Sequence, residues 1–267
     1  MKTVAELLRL EGRTAVITGG AGHLGLAIAE ALAEAGARLV IVDRDQGACD
    51  ARAELLRQSK GATVLALGID LAAGNGAAQV VARTLEAWGG LDILINNAAF
   101  TGDSRLEGWA VPFEAQTLEA WDAALRTNLS APFLLAREAR EALSASGQGA
   151  IINIASIYGT LGPDMSLYEG TPMANPAAYG ASKGGLIQLT RYLATVMAPR
   201  VRVNAVSPGG IERNQPAAFL ARYRSRTPLG RLATEEDLKG AVAFLASDAS
   251  AYVTGQNLLV DGGWSAW

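Results

Sequence analysis

Short runs of aliphatic and β-branched residues alternate with amphipathic helical stretches from Thr14 to Asp261. Strands separated by helices of this length form βαβ units, in which neighbouring strands are parallel. Helices cover both faces of such a sheet, so its strands are expected to be continuously apolar, as these runs are. The pattern predicts one α/β domain over residues 1–267. Its core is a doubly wound parallel sheet of about seven strands with helices on both faces.

The predicted elements alternate along the chain. The strands are predicted at Thr14–Thr18, Arg38–Asp43, Ala62–Asp70, Leu91–Asn96, Ala150–Ala155, Val201–Val206 and Asn257–Asp261. The helices are predicted at Leu24–Ala35, Cys49–Gln58, Ala77–Trp88, Leu118–Ser144, Ala177–Met197 and Thr234–Ala246. The fourth helix is expected to be interrupted or bent near Pro132, because proline lacks the N–H that a helix interior needs.

Three stretches interrupt this alternation: residues 100–117, 157–177 and 209–232. Long loops inside a compact domain usually carry function. In an open α/β sheet, ligands bind at the carboxyl ends of the strands, where all three stretches emerge. We therefore expect them to surround a small-molecule substrate.

Composition excludes several classes of function. The chain is 50% hydrophobic with a net charge of −3 and no long basic stripe, so neither disorder nor a nucleic-acid partner is expected. A single cysteine, Cys49, and a single histidine, His23, exclude an intrachain disulfide and a Cys-based metal cluster, and no metal is expected. The sequence has no uncharged apolar run of 18 residues and no secretory signal, which predicts a cytoplasmic protein without a membrane span.

A glycine-rich loop joins the first predicted strand to the first predicted helix. Read from Gly20, it has the pattern G-x-G-x-x-G. Glycines at this spacing allow a tight turn and the close approach of a pyrophosphate, and the helix N-terminus supplies free N–H groups. The alternative is a tight turn that binds nothing. The loop predicts a dinucleotide site that includes Gly19, Gly20, Gly22, His23, Leu24 and Gly25.

Asp43 ends the second predicted strand, 18 residues after Gly25. A carboxylate at this point accepts hydrogen bonds from ribose hydroxyls and repels a 2′-phosphate, which favours NAD over NADP. The neighbouring Arg44 argues the other way, because a guanidinium binds phosphate. We weigh Asp43 more heavily and predict NAD, with both residues at the cofactor; the alternative for Asp43 is a solvated turn residue.

Further motifs follow in a fixed order. The strongest is Tyr179-Gly180-Ala181-Ser182-Lys183. The others are Asn96–Ala99, Asn128, Ser156, Ser207–Gly209, Thr254–Gln256 and Asp261–Gly263. On these residues the chain resembles the short-chain dehydrogenase/reductase family over nearly its full length. The resemblance implies a Rossmann fold. It also implies hydride transfer between a nicotinamide cofactor and a secondary alcohol or carbonyl group.

The chain departs from the family pattern in three places. His23 replaces the middle glycine of the usual TGxxxGxG loop, and Ala99 replaces the glycine that usually follows NNA. The resulting TGxxGxxG pattern is more typical of the family's longer nucleotide-sugar branch. The threonine that often follows the PG motif and holds the nicotinamide carboxamide is missing, so the backbone of Ile211 would have to serve instead.

Tyr179 and Lys183 are four residues apart and so share one face of the predicted helix. Lowering a tyrosine pKa by ~3 units takes ~4 kcal/mol. A positive charge ~4 Å away at an effective dielectric constant of ~20 supplies about that much. Lys183, helped by an oxidised nicotinamide ring, is therefore expected to lower the pKa of Tyr179 and make it a general acid or base.

The family resemblance assigns roles to the remaining motif residues. It implies that Ser156 binds the substrate oxygen, that Lys183 also holds the nicotinamide ribose, and that Asn128 anchors a water. It implies a cofactor contact for Asp70, whose alternative role is a helix cap. The other expected cofactor contacts are Leu71, Asn97, Ala98, Ala99, Tyr179, Pro208, Gly209 and Ile211.

The substrate side is the least defined part of the sequence. The segment between Ser156 and Tyr179 is about ten residues longer than is usual in the family. It resembles the corresponding segment of oxidoreductases that take part in nonulosonic-acid and flagellin sugar modification. Four arginines follow Pro208: Arg213, Arg222, Arg224 and Arg226. They suit a mobile basic lid for a substrate phosphate or carboxylate; the alternative is a solvated charged helix. A polar, sugar-like substrate is predicted.

Two other functions remain open at this point. A catalytically silent NAD-binding regulator would keep the glycine loop but would need no Tyr179–Lys183 pair. A sugar-nucleotide epimerase or dehydratase would fit the TGxxGxxG loop. By resemblance, the protein is expected to be a homo-oligomer, a tetramer or dimer, with the apolar C-terminal segment LLVDGGWSAW at an interface.

Overall fold

The computed structural model describes residues 1–101 and 106–267. Within these residues, seven parallel strands form one sheet with the order β3-β2-β1-β4-β5-β6-β7. The strands are β1 (Thr14–Thr18), β2 (Arg38–Asp43), β3 (Val64–Gly68), β4 (Ile93–Asn96), β5 (Gly149–Ile154), β6 (Val201–Pro208) and β7 (Asn257–Val260). The predicted doubly wound α/β fold is confirmed. The chain reverses its direction across the sheet between β1 and β4, which opens a crevice at their carboxyl ends.

Helices cover both faces of this sheet. They are α1 (Val4–Leu7), α2 (His23–Glu34), α3 (Gln46–Lys60), α4 (Gly76–Trp88), α5 (Leu118–Leu125), α6 (Ala131–Ala145), α7 (Ala177–Val196), α8 (Ala217–Arg226) and α9 (Lys239–Ala246). One apolar layer joins the sheet to α2, α3 and α9 and includes Ile17, Ile28, Leu56 and Leu245. The opposite layer joins it to α4, α6 and α7 and includes Val16, Val80, Leu135 and Leu193. Alternating strand residues face opposite layers, which explains why the strands are apolar throughout.

Two predicted helices differ from the structure in how they begin or continue. The long helix predicted over 118–144 is interrupted, as expected, but by a wide turn at Arg126–Ser130, just before Pro132. Because Pro132 has no N–H, it cannot donate the usual helical hydrogen bond to the carbonyl of Asn128. The helix predicted at Thr234–Ala246 begins with a short 3₁₀ turn at Glu235–Leu238, and α9 itself starts at Lys239.

Two helices, α1 and α8, are additional to the six predicted above, although a charged helix was given there as the alternative for the arginine-rich stretch. The stretch 209–232 is not irregular throughout, because it contains α8, with Pro216 before its first residue and basic residues in its last turn. Both features are ordinary helix signals that the sequence carries. Near the N-terminus, Thr3 and Glu6 cap the short α1 reciprocally through their side chains and backbone N–H groups.

A chain of buried polar side chains crosses from the sheet to α7. The amide nitrogen of Asn96 donates to the side-chain oxygen of Asn153 at 2.8 Å. The amide nitrogen of Asn153 donates to the hydroxyl of Thr190 at 2.8 Å, and that hydroxyl donates to the carbonyl of Leu186 at 2.9 Å. Each hydrogen bond in this chain is donated in the same direction, which leads from Asn96 in the sheet to Leu186 in α7. Among the described residues, the side-chain oxygen of Asn96 has no hydrogen-bond partner.

Of the three interrupting stretches, the first is described only in part, because residues 102–105 lie outside the described residues. In the described part, Trp109 is buried and meets the ring of Phe100 edge-on at 4.8 Å between centroids. The second stretch contains two short 3₁₀ turns, Ile157–Gly159 and Met165–Tyr168. Over residues 1–101 and 106–267, no helix is both long and apolar enough to cross a membrane.

Candidate active site

The loop after β1 forms a cradle that only glycine fits at two positions. Gly19 has a φ of +63°, and a Cβ there would lie 2.8 Å from the Cα of Ala98. A Cβ on Gly25 would overlap the backbone carbonyl of Gly19. Gly20 differs from its neighbours, because it is buried and a Cβ there would meet Ile41 in β2 at 2.7 Å. Gly20 therefore shapes the turn and does not line the cleft, whereas Gly19, Gly22, His23, Leu24 and Gly25 do.

Thr18 joins this loop to the segment that follows β4. Its hydroxyl oxygen accepts the backbone N–H groups of Asn97 and Ala98, each at 3.0 Å. The Asn97 amide in turn donates to the carbonyls of Thr18 and Gly19 at 3.0 and 3.1 Å. Thr18 was missed as a functional residue, although it is the threonine of the TGxxGxxG pattern.

An elongated cleft runs along the carboxyl edge of the sheet. One part, of about 820 Å³, is lined by the predicted cofactor residues Gly19, Asp43, Arg44, Asp70, Leu71, Ala98 and Ala99. The Asp43 carboxylate lies at the end of β2 and accepts the backbone N–H of Arg44 at 2.8 Å. Asp70 accepts the N–H of Ala72 at 2.9 Å and also lines the cleft, so it serves as a turn cap and a cleft residue together. A glycine cradle with a carboxylate at the end of β2 fits a dinucleotide.

The second part of the cleft, of about 470 Å³, contains the predicted reactive residues. Ser156 follows β5, while Tyr179 and Lys183 lie one turn apart on α7. All three line this part together with Asn97, Ala98, Ala99, Pro208, Gly209 and Ile211. The ammonium of Lys183 donates to the carbonyl of Ile154 at 2.8 Å and lies 5.9 Å from the ring centroid of Tyr179. The structure thus brings a hydroxyl, a phenol and an ammonium into one cavity beside the glycine cradle.

Burial dominates the electrostatics of this group. It lowers the pKa of Lys183 to about 8, because the charged form loses hydration. It raises the pKa of Tyr179, and a hydrogen bond with Ser156 opposes that rise. In the protein alone, Lys183 therefore does not lower the pKa of Tyr179; the lowering expected from Lys183 together with an oxidised nicotinamide ring stays a prediction. Desolvation is the largest cause of this rise, and Lys183 is not among the groups that shift the pKa of Tyr179, so the buried ammonium does not offset the cost of burying a phenolate.

Asn128 occupies a different position from the other predicted catalytic residues. It is fully buried and does not line the cavity. Its side-chain oxygen accepts the N–H of Phe100 at 2.6 Å, and its amide donates to the hydroxyl of Ser182 at 3.0 Å. Ser182 donates to the carbonyl of Tyr179 at 2.8 Å. The side chain of Asn128 therefore positions α7 against the segment that follows β4.

The arginines after Pro208 do not form the free basic lid that was expected. Arg222 on α8 donates to the carbonyls of Leu167 and Glu169, at 3.3 and 2.5 Å. Two further ion pairs, Arg226–Asp164 and Arg224–Glu212, hold α8 to its surroundings. Arg213 lines the cavity and lies 3.1 Å from Glu235. Arg222 and Arg226 of α8 thus bind the 157–177 segment, and the arginines of α8 are neither a mobile lid nor merely solvated.

The rest of the cavity wall is formed by side chains from the 157–177 and 209–232 stretches, which were expected to surround the substrate. Tyr158, Tyr168, Gln215, Phe219 and Tyr223 line the cavity. The stacked rings of Tyr223 and Trp264, with centroids 4.3 Å apart, support this wall from behind. Tyr158 carries a sequence signal, because it follows Ser156 by two residues. Over residues 1–101 and 106–267, no group of three His, Cys, Asp or Glu side chains could hold a metal ion.

Comparison with known proteins supports what the site suggests. The model of the family described as enoyl-(acyl carrier protein) reductase matches residues 19–265. A cis-4-hydroxycyclohexanecarboxylate dehydrogenase of Sinomonas cyclohexanicum is 37% identical, over 95% of this chain and 97% of the relative. A short-chain type dehydrogenase/reductase from Mycobacterium marinum superposes with a TM-score of 0.87 at 30% identity, covering 100% of both chains. A gluconate 5-dehydrogenase from Burkholderia cenocepacia, solved with NADP and tartrate, superposes with a TM-score of 0.85 at 32% identity, over 99% and 100% of the two chains.

Fold, cradle and similarity together define an NAD(P)-dependent oxidoreductase that acts on alcohol or carbonyl groups. The matched residues cover nearly the whole chain and include every strand after β1. The chain belongs to the short-chain dehydrogenase/reductase family.

Proposed function

We propose that this enzyme transfers a hydride between a nicotinamide and the secondary alcohol or carbonyl group of a small, polar, sugar-like substrate, with Tyr179 as the general acid or base. One observation carries the proposal: Ser156, Tyr179 and Lys183 line the same cavity as the glycine cradle. A silent NAD-binding regulator would have no use for that convergence.

Each of these side chains has a distinct role in the proposal. Tyr179 gives its proton to the carbonyl oxygen in reduction and takes it back from the hydroxyl in oxidation. Ser156 donates a hydrogen bond to the same oxygen and stabilises its developing charge. Lys183 holds the ribose hydroxyls and supplies positive charge near Tyr179, while the Ile154 carbonyl fixes its ammonium. A bound nicotinamide accepts or supplies the hydride. Asn128 positions α7, and we keep for it the water-anchoring role that the family resemblance implies.

We propose NAD as the preferred cofactor. The Asp43 carboxylate lines the cleft at the end of β2, where it would accept the adenosine ribose hydroxyls and repel a 2′-phosphate. Arg44 lines the same part of the cleft, and the Burkholderia cenocepacia relative was solved with NADP. Both cofactors therefore belong in the test. A lower KM for NADP than for NAD would reject the preference.

We also propose a homo-oligomer in the cytoplasm. Leu258 and Leu259 in the edge strand β7 are more than a third exposed, and Trp267 is 81% exposed. Apolar side chains in an exposed edge strand favour pairing with another copy. Sedimentation at micromolar concentration checks this, and a monomer there would contradict it.

The test of the catalytic proposal is a screen of polar alcohols and ketones with NAD and NADP, followed at the nicotinamide absorbance. The Tyr179→Phe variant is expected to lose about 10²–10⁴-fold in kcat, because it removes the proton donor. Its affinity for NADH should stay close to that of the wild type. Tyr252→Phe is the matched control, since Tyr252 is fully exposed.

Undiminished turnover by Tyr179→Phe would reject the catalytic role of Tyr179. Net formation of NADH from an alcohol would exclude the epimerase or dehydratase alternative, because those reactions return the cofactor to its starting state. Cofactor binding without turnover of any substrate in the screen would favour the silent regulator.

A further inference from the structure

Two tyrosines outside the proposed catalytic group meet in the substrate cavity. The phenol oxygens of Tyr158 and Tyr168 lie 3.1 Å apart, and either could be the donor of the hydrogen bond between them. Tyr158 belongs to the 3₁₀ turn directly after Ser156, and its N–H donates to the Ser156 hydroxyl oxygen at 3.2 Å. Both rings line the same cavity as Tyr179. Both tyrosines therefore lie beside the compound on which the proposed reaction takes place.

The hydrogen bonds of the two phenols leave one phenolic proton available to a ligand. The amide of Asn175 donates to the Tyr168 oxygen at 3.3 Å, so that contact uses no phenolic proton. The bond between the two phenols uses one of their two protons, whichever oxygen donates. Within residues 1–101 and 106–267, neither phenol donates to any other acceptor. One phenolic proton of the pair is thus unused by the protein, and a lone pair of a phenol oxygen also remains.

Tyr158 keeps its proton at neutral pH, and neighbouring groups hold Tyr168 in place. Burial raises the pKa of Tyr158, so this phenol stays neutral. Arg222 donates to the carbonyls of Leu167 and Glu169, the residues on either side of Tyr168. The ring of Tyr168 packs against that of Phe219, with 5.5 Å between the centroids. A donor fixed in this way discriminates between substrates, because little ordering is needed when it binds.

We propose that the Tyr158–Tyr168 hydroxyl pair binds a second oxygen of the substrate, so that the enzyme prefers substrates carrying a hydroxyl or carboxylate besides the reacting group. This inference rests on the proposed function of the same cavity. A hydroxyl can use both the free proton and the free lone pair, whereas a carboxylate can only accept. An alcohol without a second oxygen leaves the phenolic proton unpaired when it displaces water, which opposes its binding.

The test compares substrates that differ only in the second oxygen. Cyclohexanol, 1,2-cyclohexanediol and 2-hydroxycyclohexanecarboxylate form one set, and 2-butanol with 2,3-butanediol forms a second. The wild-type kcat/KM for the diols, for the hydroxy acid or for both is expected to be about 10–100 times that for the matched mono-alcohol. The diol and acid arms show which kind of second oxygen is bound.

Variants then test the proton count. Tyr158→Phe and Tyr168→Phe each keep one phenolic proton, so each should lower the ratio of diol to mono-alcohol kcat/KM by only about 2–5-fold. The double variant has no phenolic proton left, and its ratio should fall to about 1. A general loss of folding or of chemistry leaves this ratio unchanged. Tyr252→Phe is the control, and its ratio should equal that of the wild type.

Each outcome decides the matter. A wild type that shows no preference for the second oxygen, or a double variant that keeps the preference, overturns this inference and leaves the proposed oxidoreductase function intact. The inference is supported if the double variant loses the preference while each single variant keeps most of it. Absence of turnover with every compound, by a protein that binds NADH, overturns the proposed function and the inference with it.

Discussion

Two sides of the cavity that contains Ser156, Tyr179 and Lys183 are built in different ways. In keeping with the proposed function, we call the glycine cradle the cofactor end and the wall with Tyr158 and Tyr168 the substrate end. At the cofactor end, main-chain atoms pack directly against one another. Gly19 and Gly25 are glycines because a Cβ would clash with neighbouring main-chain atoms. At the substrate end, long side chains hold the wall: Arg222 and Arg226 on α8 bind a segment more than 50 residues earlier in the chain. A backbone cradle tolerates no added atom, whereas a wall of side chains can be altered piece by piece. Four experiments sharpen this contrast.

The largest effect is expected at the cradle. Gly25→Ala places a Cβ against the Gly19 carbonyl, which must move, so we expect NADH affinity to fall by at least ~100-fold and the free energy of unfolding to fall by about 1–3 kcal/mol. Calorimetric binding and urea unfolding measure both. Gly240→Ala in α9 is the control, because a Cβ there meets open space. It should leave NADH affinity unchanged, and equal behaviour of the two variants would contradict the cradle.

The next effect concerns Lys183, whose pKa burial lowers to about 8, against an ordinary value near 10.4. Between these values the unfolded chain binds more protons than the folded one, so stability rises with pH. From pH 7 to 9.5 this residue should add about 2 kcal/mol to the free energy of unfolding. Lys183→Met removes the contribution. Urea unfolding at both pH values should show a smaller rise for the variant, and parallel pH profiles would refute the assignment.

A smaller effect is expected at the substrate wall. Arg222→Ala removes the donor to the carbonyls on either side of Tyr168, so the wall loosens. We expect the KM for a polar substrate to rise about 10-fold, the equivalent of roughly 1.4 kcal/mol, while the KM for the cofactor stays the same. Arg191→Ala is the matched control, since this exposed arginine on α7 donates only to Gln188 within the described residues. A rise in the cofactor KM alone would show that the two ends are not separable in this way.

The smallest effect is expected at Tyr223, which links the cofactor end to the substrate end. The Tyr223 oxygen on α8 accepts the N–H of Gly210, just after β6, at 2.6 Å. Tyr223→Phe leaves that N–H without its partner, a loss of about 1 kcal/mol. We expect the KM values for cofactor and substrate each to rise about 2–5-fold. Tyr192→Phe, at an exposed position, is the control and should change neither KM. If Tyr223→Phe changed only one KM, Tyr223 would support only that end of the cavity.

The same contrast explains how much could be predicted from the sequence. The alternation of strands and helices, the cradle and the placement of Ser156, Tyr179 and Lys183 follow from local patterns, because each motif lies at the end of a strand or on one helix face. The partners of Arg222 and Arg226 could not be predicted, since nothing local links α8 to Asp164, 62 residues before Arg226. The pKa of Tyr179 was also beyond reach, because its direction depends on burial and on a distance set by the tertiary structure.

Other differences could have been avoided. Pro216 before α8 and the Thr3–Glu6 capping pair before α1 are visible signals of helix starts. The buried position of Gly20 is harder, because all the glycines of the loop look alike until β2 is placed beside one of them. Asn128 is similar: its motif predicts a place near the site, but only its bonds to Phe100 and Ser182 show that its side chain joins two elements.

The one-way polar chain from Asn96 through Asn153 to Thr190 specifies how α7 sits on the sheet. Sliding α7 by one helical turn, about 5.4 Å, would carry Thr190 out of reach and leave the Asn153 amide without an acceptor in an apolar interior. Apolar packing alone would tolerate such a slip far better. The position of the helix that carries Tyr179 and Lys183 is thus fixed relative to the strands in the absence of ligand. Anyone who grafts this helix onto a related scaffold must transfer those three buried side chains with it.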